Sequence, residues 1–194
     1  MKIGVLALQG DFREHCRHLG RLGVDAVEVR LPAHLEGLQG LILPGGESTT
    51  MGKLMEAYDL VEPLRTFGRE KPVWGTCAGA ILMAQDVGRK QTLLQLMDTV
   101  IQRNAFGRQL ESFEIEMDVP FLKPHQPDFH LTFIRGPVFE RVYGRAEALL
   151  TLPDGRIIAA RQGKLLATSF HPELTEDSRF HQYFLEMVKS AFVN

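Results

Sequence analysis

The chain has 194 residues, 44% hydrophobic and 24% charged, with a formal net charge of -2. That length suits one substantial α/β core, and the composition excludes a disordered or fibrous chain. So small a net charge gives no electrostatic reason to expect nucleic acid or an anionic membrane as partner.

The apolar stretch 3–8 is too short for a membrane span and for most signal-peptide cores. Gln9-Gly10-Asp11 follows it, not a small-residue cleavage site. It reads as a buried first strand, continuous over 2–8 because both faces of a parallel strand are covered, and the protein is expected to be cytoplasmic. In a reducing compartment Cys16 and Cys77 are expected to be free thiols, one of them reactive. A helix is predicted over 11–22, with Phe12, Cys16, Leu19 and Leu22 at spacings of three and four and Gly23 at its end. Strands follow at 26–30, 40–43 and 72–76, then a helix from 78 to about 87. This alternation predicts an open, doubly wound, mostly parallel sheet flanked by helices. Downstream, 94–102, 113–119, 131–134, 146–152, 157–161 and 165–170 look like strands, with Asp154-Gly155 as a hairpin signal. They are expected to extend the sheet and add a small antiparallel layer. A last helix is predicted over about 176–193, apolar at Phe180, Phe184, Met187, Val188 and Ala191, with Thr175 as its cap. Without repeats or linkers, residues 1–194 read as a single domain.

Three segments carry chemistry. In Val73-Trp74-Gly75-Thr76-Cys77-Ala78-Gly79 a buried strand runs through Gly-x-Cys-x-Gly into a helix. That is a cysteine version of the nucleophile elbow, and a helix N-terminus favours thiolate over thiol. In Ser169-Phe170-His171-Pro172-Glu173 the histidine follows a strand, where open α/β sheets place their sites. Glu173, beyond a stiffening proline, could bond one imidazole nitrogen and leave the other facing Cys77, as in a nucleophile–base–orienter triad. In Leu43-Pro44-Gly45-Gly46-Glu47-Ser48 a strand ends in two glycines that can present backbone N–H groups. Acyl transfer needs such donors at the oxygen that becomes negative, and the N–H groups of Gly46 and Ala78 could form that oxyanion hole.

Together these segments resemble the class I (triad-type) glutamine amidotransferases, and among them the glutaminase subunits of two-protein pyridoxal 5′-phosphate synthases. The likeness runs along the whole chain. It takes in Gly4-Val5-Leu6-Ala7-Leu8-Gln9-Gly10, Leu43-Pro44-Gly45-Gly46-Glu47-Ser48-Thr49-Thr50-Met51 and Arg103-Asn104-Ala105-Phe106-Gly107-Arg108-Gln109. Phe133-Ile134-Arg135 and Ser169-Phe170-His171-Pro172-Glu173-Leu174-Thr175-Glu176-Asp177 complete it. One departure is Ala80, where relatives often carry a larger aliphatic residue. The resemblance implies a flavodoxin-like class I glutaminase fold and a Cys77–His171–Glu173 triad. It also implies L-glutamine contacts at Gly46, Glu47, Ser48, Arg103, Ile134 and Arg135. An arginine would grip the substrate carboxylate in a forked geometry. It implies ammonia transfer to a pyridoxal 5′-phosphate synthase subunit in a hetero-oligomer, with no cofactor and no metal; no Cys/His spacing suggests zinc.

The competing expectations are a γ-glutamyl hydrolase, the glutaminase of another amidotransferase, and a binding module that has lost its chemistry. His15 and His18 are expected to be exposed or bonded locally, His125 and His130 to lie in a surface loop around 120–127, and His181 to lie on the polar side of the last helix.

Overall fold

A computed structural model of the chain describes residues 1–103 and 112–193. It opens with β1 (Lys2–Leu6), α1 (Phe12–Arg21), β2 (Asp25–Val29) and β3 (Gly40–Leu43). Next come α2 (Ser48–Ala57), α3 (Val61–Glu70), β4 (Val73–Thr76), α4 (Ala78–Met83), β5 (Ala84–Asp86) and β6 (Met97–Gln102). β7 (Ser112–Met117) and β8 (Phe129–Ile134) form a hairpin-like pair, followed by β9 (Val138–Val142), β10 (Glu147–Thr151), β11 (Ile157–Gln162), β12 (Leu165–Thr168) and α5 (Arg179–Ala191).

The main sheet runs β2-β1-β3-β4-β12-β11-β9-β6-β5, with β10 also on β11. Its first five strands are mutually parallel, in the order of a flavodoxin-like doubly wound sheet. Antiparallel pairs of β11 with β12, β10 and β9, and of β9 with β6, extend it. β7 and β8 make a separate two-stranded antiparallel sheet. This is the mostly parallel sheet with a small antiparallel extension that the sequence predicts.

Strand periodicity sorts the core into two layers, since successive side chains point to opposite faces. Leu41, Leu43, Val73, Leu165 and Ala167 join α2, α3 and α4 on one face. Ile3, Val5, Ile42, Trp74 and Leu166 join α1 and α5 on the other. Phe180 of α5 is fully buried there, edge-on to Phe129 at 4.9 Å and Phe170 at 5.0 Å.

Several boundaries differ from the sequence expectation. The helix after Cys77 stops at Met83, where the chain turns into β5. β9 and the two helices between β3 and β4 had no sequence assignment. α5 starts at Arg179 with Ser178 at its N-cap. Thr175 instead accepts from Asp177 N–H at 3.2 Å, one turn earlier. His130 sits on β8, between Glu114 and Glu116 of β7.

A Phe180→Ala substitution is expected to cost about 3–5 kcal/mol, as for a large aromatic removed from a close-packed core. Urea unfolding monitored by circular dichroism, with the slope unchanged, checks this.

Candidate active site

The carboxyl ends of β1, β3, β4 and β12 all open on one edge of the sheet, and every segment singled out for chemistry lies there. β4 ends at Thr76 and α4 begins at Ala78, so Cys77 alone makes the turn, with φ 46 and ψ -102. So unusual a backbone persists only where its surroundings enforce it. The flanking glycines show how. A Cβ on Gly75 would lie 2.5 Å from the carbonyl carbon of Gly79, and one on Gly79 only 1.9 Å from the Leu43 carbonyl oxygen. Both neighbours are backbone, so no side chain fits. Cys77 N–H donates to Thr168 O at 2.8 Å, tying the elbow to the end of β12.

Three residues beyond Thr168 stands His171. Its Nδ1 lies 2.8 Å from Glu173 Oε1 and 3.5 Å from Asp11 Oδ2, and Cys77 is near enough to favour its charge. Burial, the largest single influence, disfavours its charge. The hydrogen bonds with Asp11, Cys77 and Glu173, joined by the Glu173 charge, outweigh it and raise the His171 pKa well above that of a free histidine. Cys77 Sγ also lies 3.9 Å from the Ile134 carbonyl oxygen, as a weak S–H donor. His171 N–H donates to Thr132 O at 2.8 Å. The small β7–β8 sheet is thus laid against both members of the pair.

The β3–α2 loop packs against the imidazole. A Cβ on Gly45 would meet His171 Cε1 at 2.3 Å. Gly45 O accepts from Asp11 N–H at 3.0 Å, and Glu47 N–H donates to Gln9 Oε1 at 2.8 Å. Gly46 therefore lies between two pinned groups. Ala78, the other expected hole donor, is the first residue of α4, where N–H groups have no intrahelical acceptor.

The remaining expected contacts gather at the start of α2. Glu47 caps that helix, accepting from Thr49 N–H at 3.1 Å, Thr50 N–H at 2.8 Å and the Thr50 hydroxyl at 2.7 Å. Although partial burial works in the opposite direction, the Thr50 hydroxyl and the Thr50 and Thr49 amides hold the Glu47 carboxyl down to about 2. Arg103 reaches Glu47 Oε1 at 3.2 Å, Gln91 Oε1 at 3.1 Å and Thr49 Oγ1 at 3.3 Å. Ser48 is buried beside Gln91. Ile134 and Arg135 stand exposed at the end of β8, Arg135 with a left-handed φ of 47. Of the Arg103–Gln109 motif, only Arg103 lies within the described residues; Asn104, Ala105, Phe106, Gly107, Arg108 and Gln109 lie outside them.

The profile of the SNO glutamine amidotransferase family matches residues 5–190. The chain belongs to this family. A protein named pyridoxal 5′-phosphate synthase subunit PdxT from Roseiflexus castenholzii (strain DSM 13941 / HLO8) is 56% identical over 191 residues, covering 96% of this chain and 100% of that one. One of the same name from Moorella thermoacetica (strain ATCC 39073 / JCM 9320) is 54% identical over 190 residues, covering 97% and 100%. A crystal structure of a glutamine amidotransferase is 52% identical with a TM-score of 0.89, covering 96% of this chain and 98% of that chain.

In this SNO-family chain the sequence reading missed four residues of the site's surroundings. Asp11 touches His171; its position just beyond β1, on the edge where such sheets carry their sites, was the available signal. His15, His18 and His181 are buried, not exposed or locally bonded. They cluster between α1 and α5 near Trp74, with His18 and His181 stacked 4.3 Å apart and nearly parallel. Helical spacing places them on the inward stripe, yet polar residues at such positions read as surface until a partner across the fold is known. Cys16 is half-buried, and burial, followed by Glu28 and Glu14, pushes its thiol up to about 11.

A Glu47→Ala variant is expected to lose about 1 kcal/mol of stability at neutral pH through the missing helix cap, trimmed by solvent because the carboxylate is half exposed. The folded value lies below the unfolded one. The wild-type advantage is therefore full above roughly 4.3 and is lost as pH falls through about 2. Paired thermal melts of the two proteins across acidic pH check both size and direction.

Proposed function

We propose that the chain is the glutaminase subunit of a pyridoxal 5′-phosphate synthase. It hydrolyses L-glutamine to L-glutamate and ammonia and hands the ammonia to the synthase subunit of a hetero-oligomer. The observation that carries this reading is the His171 imidazole, hydrogen-bonded to the buried carboxylate of Glu173 and with its charged form favoured by Cys77. It lies in a glutamine amidotransferase fold whose relatives bear the synthase-subunit name.

The chemistry follows from the geometry. Cys77 sulfur attacks the side-chain carboxamide carbon of glutamine, with its proton held by His171. Backbone N–H groups of Gly46 and Ala78 receive the oxyanion, the arrangement that contributes most in such sites. His171 gives its proton to the leaving nitrogen, the C–N bond breaks, and ammonia departs from a γ-glutamyl thioester. His171 then takes a proton from water as it attacks, the C–S bond breaks, and glutamate leaves. Glu173 orients the imidazole and stabilises its charged form. Arg103 and Glu47, paired with each other at 3.2 Å, offer the two opposite charges that match the carboxylate and ammonium of a free amino acid. Ser48, Ile134 and Arg135 border that substrate. The reading needs neither cofactor nor metal.

Ammonia released into neutral water is protonated and lost as a nucleophile, which favours direct delivery. Ile134 and Leu174, each 42% exposed beside the site, supply an apolar rim for the docked synthase. Two free cysteines suit the cytoplasm, and no helix among the described residues is long and apolar enough to cross a membrane. Two core layers sharing one sheet support a single domain over 1–194.

Glutamine-fed pyridoxal 5′-phosphate synthesis, assayed with the synthase subunit present, is expected to fall by more than roughly a thousandfold in Cys77→Ala. Synthesis fed by an ammonium salt should survive. Glutamine hydrolysis by Cys77→Ala at the wild-type rate would defeat the proposal.

A further inference from the structure

Glu173 is a carboxylate with no exposed side-chain surface. Oε1 bonds His171, but Oε2 has no hydrogen-bond partner among the described residues. A buried carboxylate left half-satisfied is costly, so what faces Oε2 matters. A charge-bearing group faces it from α1: His15, whose Nε2 lies 3.6 Å from Oε2 and 3.2 Å from the Oγ1 of Thr76, the residue before Cys77. Its other nitrogen, Nδ1, lies 2.9 Å from Nε2 of His181 on α5. His181 Nδ1 has no partner.

These contacts select one pattern of protons. A carboxylate only accepts, so the His15 nitrogen facing it carries the hydrogen. In a neutral ring Nδ1 then accepts, and the donor must be His181 Nε2–H. The remaining nitrogen of His181 is a bare lone pair, and it is the orphaned atom. The reverse pattern turns a lone pair toward the carboxylate and strands an N–H in the core. Burial, the largest influence on both rings, lowers the pKa of His15 and of His181 and keeps them neutral. The titratable groups facing His15 are Asp11 just before α1, His18 on α1, His171 and Glu173 beyond β12, and His181 on α5.

We propose that His15 is a positioning residue of the site: its Nε2–H, bonded to Thr76 Oγ1, faces the Glu173 oxygen that does not bond His171 from 3.6 Å and supports the carboxylate there, and His181 fixes the tautomer that makes this possible. Glu173 is thereby fixed in place, with Oε1 aimed at the imidazole. The same side chain ties α1 and the β4 elbow to the base. The inference rests on the glutaminase reading above.

The test compares two substitutions of similar size and polarity in the full chain with the synthase subunit present. His15→Gln places an amide nitrogen near the position of Nε2; His15→Asn places it near Nδ1. His15→Asn should lower kcat roughly 10- to 100-fold, as lost outer partners do, with KM for glutamine little changed. Its acidic limb of kcat/KM should shift from that of wild type, because the carboxylate that orients His171 is no longer held in place. His15→Gln should recover kcat to within a few-fold of wild type and restore the limb, at a similar loss of melting temperature. In the 15N-labelled wild-type chain, NMR should find His15 protonated on Nε2. Equal kcat and equal pH profiles for the two variants would overturn the inference, as would an Nδ1–H tautomer. A Cys77→Ala control run alongside separates the readings. If that variant hydrolyses glutamine, the glutaminase reading falls; if it is dead while the two His15 variants match, only the role of His15 falls.

Discussion

The site depends on the register of two neighbouring parallel strands. Leu165 stands opposite Val73 and Thr168 opposite Thr76. The sulfur of Cys77 and the imidazole of His171, 94 residues apart in sequence, therefore leave the sheet side by side. The Cys77 N–H to Thr168 O bond closes that register at its last rung. A slip of one residue would send every side chain of β12 to the opposite face. It would bury Leu166 where Ala167 belongs and carry His171 away from sulfur. The two core layers, built from alternating residues of these strands, hold the register with the same side chains that stabilise the fold.

Around that pair, backbone comes closer than side chains could allow. Gly75 and Gly79 admit the elbow, and Gly45 admits the imidazole. The outcome is a histidine whose surroundings overcome the effect of its burial: Asp11, Cys77 and Glu173 together favour its charged form. Glu47 repeats the device at the α2 N-terminus, where amide and hydroxyl donors hold a carboxylate ionised opposite Arg103. Each end of the site thus keeps a charge that folding alone would discourage.

The parallel half and the elbow were legible because their signals are local: an apolar run, a glycine pair, a helix start. The hairpin at Asp154-Gly155 likewise declared itself, with Gly155 at φ 90 between β10 and β11. Illegible were facts set by distant partners. The helix after Cys77 reads as running to about Val87, but pairing with β6 turns residues 84–86 into a strand, tertiary context overriding local pattern. The α5 start was misplaced because Thr175 and Ser178 are both plausible caps, and Arg179 is bonded by Asp177 as the helix opens. The buried histidines needed α1 and α5 to be side by side before their polarity made sense.

The proposed chemistry requires sulfur 77 to form a covalent bond to substrate carbon with imidazole 171 as its proton partner. Acid quenching of the complex during glutamine turnover, followed by peptide mass spectrometry, tests it directly. A γ-glutamyl group is expected on the peptide that contains Cys77, present in wild type and absent in His171→Asn. Steady ammonia release with that peptide unmodified, or modified equally in both proteins, would contradict it.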